Sequence, residues 1–181
     1  MAYFNSKQLT VIAISASLWA ILNWTVTPIF WDLTHLPILC DMVGVSLLVL
    51  TVWWIRKLGA ASMIDAIATM LNFILRPSTI HFLGFTVASI VFDASTRLIT
   101  YEKGFNRRVI SNVAILGTSF LSALVAGFII GSLFINPVSL SNMYGGILFF
   151  AMLHGAGGIL GVIGIVIVRG LEVRKIIPYI L

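Results

Sequence analysis

Val109–Ile135 reads VISNVAILGTSFLSALVAGFIIGSLFI, a run without one charged side chain. At about 1.5 Å of rise per residue, a helix of this length exceeds the roughly 30 Å of hydrocarbon in a bilayer, so the stretch predicts a transmembrane helix. Working outward, comparable stretches run from Leu9 to Phe30, Leu36 to Ile55, Gly59 to Leu75, Ser78 to Leu98 and Met143 to Val168. The expected fold class is therefore an all-α integral membrane protein of six transmembrane helices, one domain over residues 1–181. Gly59–Leu75 is the weakest of them, being barely long enough and containing Asp65. A five-helix count with a re-entrant segment is the alternative there.

Composition agrees with a lipid-solvated chain. Of the residues 60% are hydrophobic and only 9% charged, and no water-soluble domain covers its surface with so few charges. Eleven Lys and Arg against six Asp and Glu give +5, which in a membrane protein reports orientation, so no nucleic-acid partner is expected. Cys40 is the single cysteine, which excludes an intramolecular disulfide and a thiolate zinc site. The first apolar stretch has no A-x-A-like cleavage site and no basic run beyond Lys7, so it reads as a retained helix.

The connections set the expected topology. Trp31–His35 and Asn136–Asn142 carry no Lys or Arg, whereas Arg56, Lys57, Arg97, Lys103, Arg107 and Arg108 fall in the alternate loops, and Lys7, Arg169, Arg174 and Lys175 near the ends. Ten of eleven cations thus share one side, Arg76 excepted. The enrichment of short cytoplasmic loops in Lys and Arg puts both termini in the cytoplasm. The tail from Glu172, with Pro178, reads as a short interfacial piece.

Polar side chains inside apolar helices cost free energy and normally face the protein interior. Ser62, Asp65, Thr69, Asn72 and Arg76 recur at spacings of three and four and form one stripe. Asp65 is expected to pair with a neighbouring helix or a cytoplasmic cation, while Asn72 and Arg76 are binding-site candidates. On the first helix Ala13, Ala16, Ala20, Asn23 and Thr27 form a second stripe; its small residues serve either intramolecular packing or docking of another helix. Trp24, Trp31, Asp32 and His35 enrich the first loop in aromatic and titratable groups, the Trp residues doubling as interface anchors. The last stretch carries His154 among Gly155, Gly157, Gly158, Gly161 and Gly164. Its glycines predict a flat packing surface, and His154 is either a satisfied core residue or a ligand contact. His81 stands at the start of the fourth stretch, and Asp93 with Arg97 predicts an interfacial ion pair. No phosphate loop, H-E-x-x-H or G-x-S-x-G motif occurs, so no catalytic residue, resident metal or cofactor is expected and the chain is not read as an enzyme.

Six helices with both ends inside, Ala16-x-x-x-Ala20, and Arg56-Lys57-Leu58-Gly59-Ala60-Ala61 leading into the third helix resemble the substrate-binding S component of an energy-coupling factor (ECF) transporter. The resemblance covers nearly the whole chain through short, degenerate motifs. It implies a cell-membrane subunit that captures a vitamin or vitamin precursor and docks on a transmembrane T component driven by two ATPase subunits. Ala16 and Ala20 would be the docking element. The ligand pocket would lie in the outer half, lined by Trp24, Trp31, His35, Asn72, Arg76, His81, Asn142 and Tyr144, with His154 beneath. Metal-type members begin with a histidine near the N-terminus, whereas this chain begins Met-Ala-Tyr-Phe-Asn, which disfavours nickel or cobalt. Aromatic rings with a few amides and one Arg suit a flat heterocycle, and a thiamine precursor is the expectation within that class. The rival from another class is a non-catalytic, haem-binding or scaffolding transmembrane subunit of a respiratory or oxidase-type complex. An ion-coupled carrier working alone would need a deep carboxylate relay, for which Asp65 is the one candidate.

Overall fold

The computed structural model describes residues 3–100 and 108–176. Its elements are α1 (Ser6–Thr34), α2 (Ile38–Ile55), α3 (Ala60–Leu75), a 3-10 turn at Ile80–Phe82, α4 (Leu83–Thr100), α5 (Arg108–Leu133), α6 (Pro137–Tyr144), α7 (Ile147–Leu160) and α8 (Val162–Val173). Among the described residues there is no strand. Lys103, Arg107 and Pro178, on which part of the topology argument rests, lie outside the described residues.

Four helical stretches are long and apolar enough to cross a membrane: α1, α2, Asn112–Leu133 within α5, and Ile147–Val173 formed by α7 with α8. The protein is therefore an all-helical, multi-pass membrane protein. Six spans are expected, and the other two helices differ from these four. α3 is apolar but short, and α4 carries Thr86, Ser89, Asp93, Ser95, Thr96 and Arg97 along its length.

Local sequence explains most boundaries. α1 starts earlier than its apolar run because Asn5 and Gln8 form a reciprocal capping box, with Asn5 Oδ1 accepting from the Gln8 amide at 2.8 Å and Gln8 Oε1 from the Asn5 amide at 3.1 Å. It ends at His35, left-handed at φ 54°, and Pro37 precedes α2. The Asn136–Asn142 connection, expected as a loop, is mostly helix α6. Asn136 Oδ1 accepts from the Val138 amide at 2.9 Å and Pro137 starts the turn. Gly145 at φ 71° and Gly146 at φ 124° then end it and delay the last membrane helix to Ile147.

The start of α3 is capped from outside. Gly59 offers no side chain, and Asp93 of α4 takes its place, accepting from the Ser62 amide at 2.8 Å, the Ser62 hydroxyl at 2.7 Å and the Ala61 amide at 3.4 Å. A carboxylate at a helix N-terminus meets free N–H groups and the positive end of the helix dipole. This corrects the expected Asp93–Arg97 pair: Arg97 is exposed and Asp93 is buried at α3.

Glycines seat α7 between α5 and α2, as the flat-surface expectation requires. A Cβ on Gly158 would lie 2.6 Å from the Ser119 carbonyl oxygen of α5, and one on Gly157 would lie 2.7 Å from Asp41 Cβ of α2. Only glycine permits both approaches. α1 reaches α2 through the Trp19 indole, which covers Gly44, and through Thr51, whose hydroxyl donates to Ser15 at 3.0 Å. Ala16 and Ala20 are 0% and 1% exposed. Their small side chains pack inside this chain, so the expectation that they present a docking surface is corrected to the intramolecular alternative. The exposed face of α1 carries Ile14, Leu18 and Ile21 instead.

Candidate functional site

A cavity of about 430 Å³ opens at the end of the bundle that holds the α1–α2 corner. It forms because α1 and α3 end, and α4 and α7 begin, around a gap that Phe82, Phe85 and Phe150 wall without filling. Volumes of roughly 300–1,000 Å³ are typical of small-molecule sites. The rim is exposed and carries Trp24, Asp32, Arg76 and Ser78, with Trp31 half-buried beside it. The interior is buried and carries Asn23, Asn72, Thr79 and His154.

Six of the expected pocket residues border this cavity, Trp24, Trp31, Asn72, Arg76, His81 and His154, and so do Asn23, Thr27 and Asp32. His35, Asn142 and Tyr144 do not. The Tyr144 hydroxyl donates to the His35 carbonyl oxygen at 2.6 Å and its ring packs on Phe150 at 4.9 Å, which ties α6 to the end of α1. The His35 ring meets Trp31 edge-on at 6.3 Å, and Asn142 is exposed on α6. Trp24, 51% exposed, retains the position of an interface anchor as well as a rim residue.

Two interior groups lack hydrogen-bond partners. Asn23 is held by Thr27, whose hydroxyl donates to Asn23 Oδ1 at 3.0 Å, and this leaves Asn23 Nδ2 unpaired. His154 lies between the Phe85 and Phe150 rings, at 5.9 and 4.7 Å. Its Nδ1 is 2.8 Å from Asp41 Oδ2. No well-formed hydrogen bond joins the two, and Nε2 has no partner. Asn72, by contrast, is turned back on its own helix, Nδ2 donating to the Ala68 carbonyl at 2.8 Å.

Asp41 escaped the sequence reading. It stands in the first turn of α2, where an acidic residue is ordinary, and its proximity to His154 exists only because Gly157 lets α2 and α7 touch. Asp65 is 0% exposed and neither oxygen receives a well-formed hydrogen bond, the Thr86 side chain being within interaction range. No salt bridge of Asp65 exists among the described residues, which corrects the expected pairing with a cation. Nor do three His, Cys, Asp or Glu side chains converge among the described residues as a metal site requires.

Among the described residues, several polar groups at the opposite end are paired. Glu172 of α8 accepts from Trp53 Nε1 at 3.0 Å and from Arg169 at 2.6 Å, and Arg169 also donates to Asn112 of α5 at 2.6 Å. Lys57 donates to the Tyr3 carbonyl at 2.6 Å and to Gln8 at 3.1 Å. No family model, curated protein or solved structure matches the chain.

Proposed function

We propose that this protein is a membrane-embedded substrate-binding subunit, of the kind found as the S component of ECF importers, that captures a small vitamin-like heterocycle in the cavity beneath the α1–α2 corner. The carrying observation is the cavity of about 430 Å³, with Trp24, Trp31 and Arg76 at its rim and Asn72, Thr79 and His154 among the aromatic rings of its buried wall. A concave, largely aromatic wall with a few polar side chains is the usual character of a small-molecule site.

The chain then crosses the cell membrane six times with both termini cytoplasmic and the cavity facing outward, in keeping with ten of eleven cations on one side. α3 and α4 complete the six crossings, tolerated because Asp65, Thr69, Asn72, Ser89, Asp93 and Thr96 are buried in the bundle. A transmembrane T component and two ATPase subunits would supply the energy. The T component would meet the exposed α1 face of Ile14, Leu18 and Ile21 rather than the buried alanines. A thiamine precursor is the ligand class put forward, since stacking on Trp24 or Trp31 favours a flat ring and adds about 1 kcal/mol beyond area burial.

Tryptophan-fluorescence titration of the purified full chain in mild detergent with thiamine and with its pyrimidine and thiazole precursors tests this reading. Saturable quenching that Trp31→Ala weakens about tenfold or more is expected. Absence of saturable quenching by every compound, together with a haem absorption band in the purified protein, would favour the respiratory-subunit rival.

A further inference from the structure

We propose that the mouth of the cavity is a two-charge recognition site that selects a zwitterionic ligand, holding a flat cationic ring on the α1 side at Asp32 and an anionic group on the α3 side at Arg76. The proposal rests on the binding-subunit reading above and deepens it by naming the charge class of the ligand.

Formal charge is scarce at this end of the bundle. Among the described residues its exposed charged side chains are Asp32, in the last turn of α1, and Arg76, directly after α3. Both line the cavity, and no salt bridge joins them. Two opposite charges on one rim that do not neutralise each other are both open to a bound molecule.

Helix electrostatics separate the two. A cation just past the end of α3 meets the negative pole of that helix, so the position of Arg76 is favourable without any ligand. A carboxylate in the last turn of α1 meets a negative pole as well, and no basic residue in that turn offsets it. Asp32 and the end of α1 therefore make a corner that attracts cations. Trp24 and Trp31 of the same helix line the cavity beside it. Aromatic faces next to a carboxylate favour a flat cationic ring, which gains cation–π attraction from the indoles and Coulomb attraction from the acid.

The α3 side has the complementary character. The Arg76 amide donates to the Asn72 carbonyl at 2.7 Å, and the Arg76 carbonyl accepts from the Thr79 amide at 3.1 Å and the Thr79 hydroxyl at 2.7 Å. The backbone that carries the guanidinium is thereby fixed at the cavity edge. A guanidinium offers donors and no acceptor, and its planar fork matches a carboxylate or a phosphate. A ligand bearing both charges bridges the mouth from α1 to α3, whereas one bearing a single charge satisfies one side and desolvates the other.

Two probes test this on the full chain in detergent, read by tryptophan fluorescence: thiamine, which carries a cationic thiazolium ring, and thiamine monophosphate, which adds an anion to the same rings. The monophosphate should bind about tenfold or more tightly than thiamine. Arg76→Gln should erase that preference, and Arg76→Lys, which keeps the charge, should retain part of it. Asp32→Asn should weaken both compounds by a similar factor and leave the preference in place. Both side chains are exposed, so these variants should fold. Equal affinity for the two probes in the unmodified protein, or a preference that survives Arg76→Gln, would overturn the anion assignment, and undiminished binding in Asp32→Asn would overturn the cation assignment. Saturable quenching by a neutral pyrimidine precursor but by neither probe would overturn the charge selection and leave the cavity reading standing. Absence of quenching by all three compounds would overturn the two together.

Discussion

The two ends of the bundle treat their polar groups in opposite ways. At the end near the N-terminus, Asp93 accepts hydrogen bonds from three groups at the start of α3, Glu172 and Arg169 join α2, α8 and α5, and Lys57 bonds to Tyr3 and Gln8. At the cavity end, Asn23 Nδ2 and His154 Nε2 are buried without hydrogen-bond partners in the residues that wall about 430 Å³. A buried polar group left unpaired forfeits roughly 1–3 kcal/mol. One end thus holds the helices together while the other leaves buried polar groups unsatisfied. Asp65 of α3, buried without a well-formed hydrogen bond, is the exception to this division.

The comparison breaks most visibly at Asp93. Asp93→Ala removes every external hydrogen bond at the start of α3, and a loss of about 3 kcal/mol is expected, read as a lowered thermal midpoint of the detergent-solubilised chain with ligand affinity of the folded fraction unchanged. An unaltered midpoint would mean that the cap is dispensable.

Ala16→Trp comes next. Overpacking a side chain with no exposed surface costs about 1–3 kcal/mol, so the isolated chain itself should be destabilised. Normal stability of the isolated chain with loss of partner assembly would restore these alanines as a docking surface.

Asp65→Leu should act in the other direction, raising stability by about 1–2 kcal/mol, because a carboxyl without a well-formed hydrogen bond is replaced by an apolar group of similar size. A fall in stability measured by denaturant or heat would show that Asp65 has a partner that matters. The smallest effect belongs to Asn142→Ala. Exposed on α6 and off the cavity, it should change stability by no more than about 0.5 kcal/mol and leave ligand affinity as it was. A tenfold change in affinity would extend the site to α6.

Hydropathy along the chain determined that this is a helical membrane protein, because nothing but hydrogen-bonded helices satisfies the backbone across such apolar runs. The glycine run from Gly155 to Gly164 likewise announced close packing of the last helix, and the clustering of Trp24, Trp31, Asn72, Arg76 and His81 near helix ends pointed to the end of the bundle where the cavity lies. Those features are properties of single helices and their ends, which composition and spacing reveal. Partner choice was decided by tertiary structure alone. That Asp93 caps α3 instead of pairing with Arg97, that Ala16 and Ala20 face inward, that Tyr144 closes on His35, and that Asp41 meets His154 all depend on which faces of two helices touch. Those contacts are set by side-chain volumes summed over whole interfaces, such as the missing Cβ at Gly157, and a residue's own neighbours in sequence carry no record of them.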